Sequence, residues 1–194
     1  MNDSNLALDG QWGTVLSVAH SFTDWWRPEI YLAKYKHTPA QGTQYSGYEF
    51  ENTFQLTPTG EYWADIGFLA SYEHNSPADN PSELEFGPLF EKRAGRFVHR
   101  LNLIWEKQIG GGATNFYEFR AAYSLSYQWH QAFAPGLEVY YRPHDDARQV
   151  GPVFYGELAS AQGNELEYSA GVVFGVNRGA PDQTFVLRLE YEFF

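Results

Sequence analysis

FVLRLEYEFF, residues 185–194, alternates without a break. Phe185, Leu187, Leu189, Tyr191 and Phe193 fall on one side of an extended chain, and Val186, Arg188, Glu190, Glu192 and Phe194 on the other. Successive side chains of a strand point to opposite faces, so a period of two predicts a β-strand with one apolar and one polar face. Which of the two faces the interior decides the fold.

The same period runs through the rest of the chain. In GYEFENTFQL, residues 47–56, Tyr48, Phe50, Phe54 and Leu56 oppose Glu49, Glu51, Thr53 and Gln55. In EYWADIGFLASYE, residues 61–73, Tyr62, Ile66, Phe68 and Tyr72 oppose Trp63, Asp65, Ser71 and Glu73. FYEFRAAYSLSY (116–127) and ELEYSAGVVFGV (165–176) repeat the pattern, and no helical face of comparable length competes. The chain is therefore read as all-β. Eleven strands are predicted, near 11–20, 26–36, 46–56, 61–73, 83–91, 96–108, 115–127, 132–142, 149–158, 165–176 and 183–194.

Most of these strands are about twice as long as the usual soluble strand of about 5–6 residues. A tilted strand crossing a bilayer needs about 9–11. The connections also sort into two kinds. Short ones (FTDW, TPTG, KRAG, YQWHQ, AQGN) alternate strictly with longer polar ones (HTPAQGTQYS, HNSPADNPS, IGGGATN, PHDDARQ, NRGAPD). Short turns on one rim and long loops on the other mark a transmembrane barrel. A soluble lipocalin-like barrel or sandwich also alternates. Strand length, turn–loop alternation and aromatic collars favour the membrane form. Trp12, Trp25, Tyr48, Tyr62, Tyr72, Trp105, Tyr117, Tyr127, Tyr168 and Tyr191 are placed near strand ends, as an interfacial girdle requires.

In hydrocarbon an unpaired backbone group costs several kcal/mol, so an open edge cannot stand and the sheet closes. The expectation is one domain over residues 1–194: a transmembrane antiparallel up-and-down β-barrel whose apolar rows face lipid. Single-chain bacterial barrels have even strand numbers, so about 12 strands are expected, within a range of 10–12. Residues 1–10 would supply a short or incomplete first strand, turning at Asp9-Gly10.

Composition agrees with this reading. Aromatic residues make up 18% of the 194 residues, with 14 Tyr, 15 Phe and 6 Trp against one Met. A net charge of -11 argues against nucleic acid as a partner. Cysteine is absent, which removes disulfide and thiolate chemistry. No run approaches the roughly 18 apolar residues of a membrane helix. MNDSNLALDG has neither the basic nor the apolar region of a signal peptide, which taken literally reads as cytoplasmic; the strand pattern favours instead an outer-membrane chain from which that peptide has been removed.

On this phase the lumen is lined by Glu49, Glu51, Asp65, Glu73, Glu85, Glu91, Glu106, Glu118, Glu138, Glu165, Glu167 and Glu190, with Arg100, Arg120, Arg142 and Arg188 among them. An acidic lining lowers the energy of a cation, which suits a small, weakly cation-preferring passive channel. The same rows can instead pair into a plug, since charges in a narrow barrel must pair or neutralise. The barrel would then be a membrane anchor or a structural subunit of a surface assembly. Register decides between these, and the sequence leaves both open. Trp63 and Tyr140 are expected to face the lumen and fill volume.

A lipid-modifying enzyme is the third reading. His20-Ser21 and the histidines at 37, 74, 99, 130 and 144 form no nucleophile–base motif, so no catalytic residue is assigned. His99 is read as a girdle residue, His144-Asp145-Asp146 as a solvated loop, and GGGATN (110–115) as a flexible loop. No metal site and no cofactor are expected.

Two resemblances add to this. LEYEF, with Tyr191 and Phe193 in phase and Phe194 as an extra residue, resembles the terminal signal of bacterial outer-membrane proteins. It implies delivery to the barrel-assembly machinery and leaves open which Phe is read as terminal. Across residues 83–194, LEFGPLFEK, LNLIWEKQIGG, FAPGLEVYYRP, VGPVFYGEL and LRLEYEF resemble the outer-membrane porins grouped with proteins of phenol meta-pathway degradation. That resemblance implies passive uptake of small solutes through the outer membrane. Gly87-Pro88 and Gly151-Pro152 are expected to open strands after outer loops and to kink the wall.

Overall fold

The computed structural model describes residues 9–77, 80–159 and 164–193. Among them are eleven strands and no helix. They are β1 (Trp12–Ala19), β2 (Trp26–Thr38), β3 (Gly42–Gln55), β4 (Asp65–Asn75), β5 (Ser82–Ala94), β6 (Phe97–Ile109), β7 (Tyr117–Tyr127), β8 (Ala134–Arg142), β9 (Ala147–Ala159), β10 (Glu165–Gly175) and β11 (Gln183–Glu192). Each is hydrogen-bonded to its neighbour in sequence, in the order β1 to β11, as an antiparallel up-and-down meander. All eleven expected strands are present. The expected twelfth, within residues 1–10, falls almost wholly outside the described residues, which begin with the Asp9-Gly10 turn.

The chain divides into two compact units. Unit 1 is Met1–Phe90 with Asn102–Arg120; unit 2 is Glu91–Leu101 with Ala121–Phe194. β5, β6 and β7 each contribute one part to either unit.

Three local expectations are corrected. β4 starts at Asp65 rather than 61, so Tyr62 and Trp63 lie in the preceding turn, and Trp63 is not on the charged row. Asp65 Oδ1 accepts the Gly60 N–H at 2.6 Å and Thr57 Oγ1 accepts the Ile66 N–H at 2.8 Å. Such side-chain bonds draw the backbone out of the ladder. β3 starts at Gly42 rather than 46, which puts Tyr48 mid-strand. Finally, Gly87-Pro88 and Gly151-Pro152 lie inside β5 and β9 instead of opening them. A Cβ on Gly87 would stand 1.9 Å from the Leu103 carbonyl oxygen, and one on Gly151 2.0 Å from that of Val172. Neighbouring backbones press so closely there that only hydrogen fits.

Burial is inverted relative to a soluble protein, and it is inverted in each unit. In unit 1, Glu49, Ser71 and Glu85 are buried while Tyr48, Phe50, Leu84 and Phe86 are exposed. In unit 2, Glu138, Ser126 and Ser169 are buried while Leu137, Phe154 and Leu158 are exposed. Along β11, Phe185, Leu187 and Leu189 are 69%, 69% and 65% exposed. Of the buried apolar residues, Val98, Ile104, Ala134, Val153 and Val173 sit on the charged face, between the charges. Charged residues are almost never fully buried unless paired, so the charged face must contain its own partners.

Candidate functional site

The charged face of unit 1 is organised by two cations. Lys34 on β2 donates to Glu49 on β3 at 2.9 Å and to Glu73 on β4 at 2.6 Å. Arg120 on β7 donates to Glu85 on β5 and lies 2.8 Å from Glu106 on β6. Register brings these carboxylates together, since Glu49 pairs with Glu73 across β3 and β4. Glu73 and Glu85, one from each cation's set, join Glu83 in a cluster whose oxygen atoms all stand within 4.8 Å of one another. Asn75 donates to Glu83 at 3.3 Å.

Lys34 is a residue that alternation misplaces. From Arg27, Glu29 and Tyr31, a strict period of two sends Lys34 to the apolar face. Across β1, however, Ser17 pairs with Tyr31 and Leu16 with Ala33, so Leu32 is an extra residue. β3 compensates with a shift at Ser46, beside Gly47 at φ 137°. A bulge takes up one extra residue, so odd and even positions exchange faces beyond it. The signal was present in the sequence: charge moves from the odd positions Arg27 and Glu29 to the even positions Lys34 and Lys36. Glu83, also missed, shares parity with Glu85.

Unit 2 centres on Glu138. Its carboxylate takes both arms of the Arg188 guanidinium, at 2.9 and 3.2 Å, and the Tyr155 hydroxyl at 2.8 Å. Tyr140 donates to it as well, and Arg188 also reaches Ser169 at 3.2 Å. Glu138 is on β8 and Arg188 on β11. Three strand spacings amount to about 14 Å in a flat sheet, so this bidentate contact requires unit 2 to bend toward its charged face. Beside the pair lies a cleft of about 590 Å³, lined among others by Arg93, Arg100, Glu157, Glu167, Tyr168, Arg188 and Glu190. Arg93 and Arg100 both reach Glu91, at 3.0 and 2.7 Å. Glu157, Glu167 and Glu190 form a row across β9, β10 and β11.

The remaining expected lumen residues are more scattered. Glu51 accepts from Thr53 at 3.4 Å and pairs across the ladder with Glu29. Asp65 holds its turn, Glu118 is half-buried on β7, Glu165 stands opposite Glu192, and Arg142 lies 3.8 Å from Asp145 at the loop end of β8.

Of the expected girdle, Trp12 opens β1 stacked on His37, and Trp25 precedes β2 stacked near Phe54. Tyr117 opens β7, Tyr127 closes it against Phe97, and Tyr191 lies near the end of β11 against Phe193. Tyr72 bonds Ser82 at 3.2 Å, Trp105 packs against Phe119, and Tyr168 donates to the Ala132 carbonyl at 2.8 Å. Phe194 lies outside the described residues. His99 bonds the Tyr123 hydroxyl at 2.8 Å, and the His20 ring meets Phe22 edge-on.

Compared with known proteins, the chain matches no protein-family model and no curated protein sequence. Its function is therefore argued from the geometry.

Proposed function

We propose that this chain is an outer-membrane β-barrel forming a small passive channel with an acidic, weakly cation-preferring lining. The observation that carries the reading is the inverted burial. Glu49, Glu85 and Glu138 are buried on the charged rows, while Phe, Leu, Tyr and Trp side chains of the opposite face are exposed in both units. Monomeric soluble proteins rarely expose contiguous apolar patches above a few hundred Å². Lipid tails solvate such a surface at no hydrophobic cost, and the girdle suits headgroups. Hydrocarbon also demands that the end strands β1 and β11 find backbone partners. The resemblance of residues 83–194 to porins grouped with phenol meta-pathway proteins points the same way and names no solute.

A second reading, a plugged barrel serving as an anchor or as a subunit of a surface assembly, is favoured by one observation. Glu138 accepts from Arg188, Tyr140 and Tyr155 together, so its charge is fully engaged. Planar-bilayer recording separates the two. The channel gives discrete conductance steps and a reversal potential displaced toward the cation potential in a salt gradient. The plugged form inserts and stays silent. A chain that is monodisperse in buffer without any amphiphile refutes both.

A further inference from the structure

The charge balance of unit 1 leaves a gap. Glu49, Glu73, Glu85 and Glu106 are held by Lys34 and Arg120, and Glu83 lies among them. Lys34 holds Glu73 and Arg120 holds Glu85, each through one carboxylate oxygen. Excess negative charge at half-buried positions must be met by protons or by a counter-ion.

A second observation marks where such an ion would sit. Ser71 is 6% exposed, and its hydroxyl oxygen is buried without a hydrogen-bond partner. It lies on β4, on the same face as Glu73 and one pleat away. An ideal Cβ on Gly67 stands 3.6 Å from Leu89 Cβ. Counting antiparallel from that contact sets Ser71 opposite Glu85 and Glu73 opposite Glu83. The hydroxyl thus belongs to the same four-residue patch as the three carboxylates. Buried polar atoms are nearly always satisfied, so an orphan beside an acidic cluster calls for a ligand.

We propose that Glu73, Glu83, Glu85 and Ser71 form a site for a hard divalent cation of the Ca²⁺ class. Ca²⁺ takes 6–8 oxygen ligands at about 2.3–2.6 Å, so ligands on opposite sides stand about 4.6–5.2 Å apart. The carboxylate oxygens, within 4.8 Å of one another, fit inside that span. Water completes the shell. The site needs only the local geometry of unit 1 and does not depend on membrane insertion or conduction.

The test is calorimetric titration of the chelator-stripped, folded full-length chain, held in whatever detergent it requires, with Ca²⁺ alone. The expected result is one saturable site with a Kd on the order of 0.1–1 mM. Glu83→Gln, nearly isosteric, weakens it by about tenfold or more, and Ser71→Ala weakens it less. If Glu83→Gln fails to fold, Glu73→Gln gives the same measurement. Glu61→Gln, in the exposed turn before β4, leaves the affinity unchanged. The proposal is overturned if no saturable uptake occurs. It is equally overturned if Glu83→Gln binds like the parent, or if Glu61→Gln weakens binding as much, since the acid-rich surface then acts as a diffuse atmosphere.

Discussion

Replacing Leu187 by Arg tests which medium meets the outward face. Leu187 stands near the middle of the ten-residue β11, opposite Ala170, and is 69% exposed. If water covers it, the substitution alters stability by no more than about 0.5 kcal/mol, as surface changes usually do. If hydrocarbon covers it, an arginine near the bilayer midplane costs about 2–4 kcal/mol. That is a shift of roughly thirty- to seven-hundredfold in the folding equilibrium. Depth adds a second signature. Leu189→Arg behaves like Leu187→Arg, whereas Phe193→Arg, beyond the end of β11, costs about 0–1 kcal/mol. The assay is reversible denaturant unfolding from phospholipid vesicles, followed by tryptophan fluorescence, with the same variants compared in detergent. A flat profile, in which all three variants fold from vesicles as the parent does, refutes a lipid-facing surface.

Other expectations follow from the charged face. Arg188→Met strips Glu138 of a bidentate partner and destabilises unit 2 by about 2 kcal/mol in denaturant titrations; Arg188→Lys recovers little, because one ammonium cannot match the fork. Gly151→Ala drives a methyl to 2.0 Å from the Val172 carbonyl, and costs about 1–3 kcal/mol or blocks folding, read by far-UV circular dichroism and heat modifiability on gels. Neutralising Glu157, Glu167 and Glu190 together to Gln reduces the cation preference of the proposed channel, measured as a reversal potential closer to zero.

How far the sequence reveals this molecule depends on what sets each feature. Strands such as 165–175 and 183–192 are legible because a side-chain period of two is local. The position of Lys34 is legible only in part: the move of charge from odd to even positions shows that parity changes, but placing the extra residue at Leu32 requires the ladder with β1. The late start of β4 is hidden because the Asp65–Gly60 bond competes with pairing only once the turn has formed. The partnership of Glu138 with Arg188 is beyond any sequence reading, since three intervening strand spacings and a bend must first bring the two together. Individual charged residues on the inner row are readable; which of them neutralise one another is a property of register.

The irregularity in β2 also bears on how such a wall can change over time. The additional residue is taken up as a local bulge, so the side chains beyond it keep their sides of the sheet. Removing Leu32 would set Ala33 directly after Tyr31 and leave Lys34 and Lys36 on the charged face and Tyr35 on the apolar one, now along a regular strand. One-codon insertions and deletions at such a point are therefore absorbed without relining the sheet.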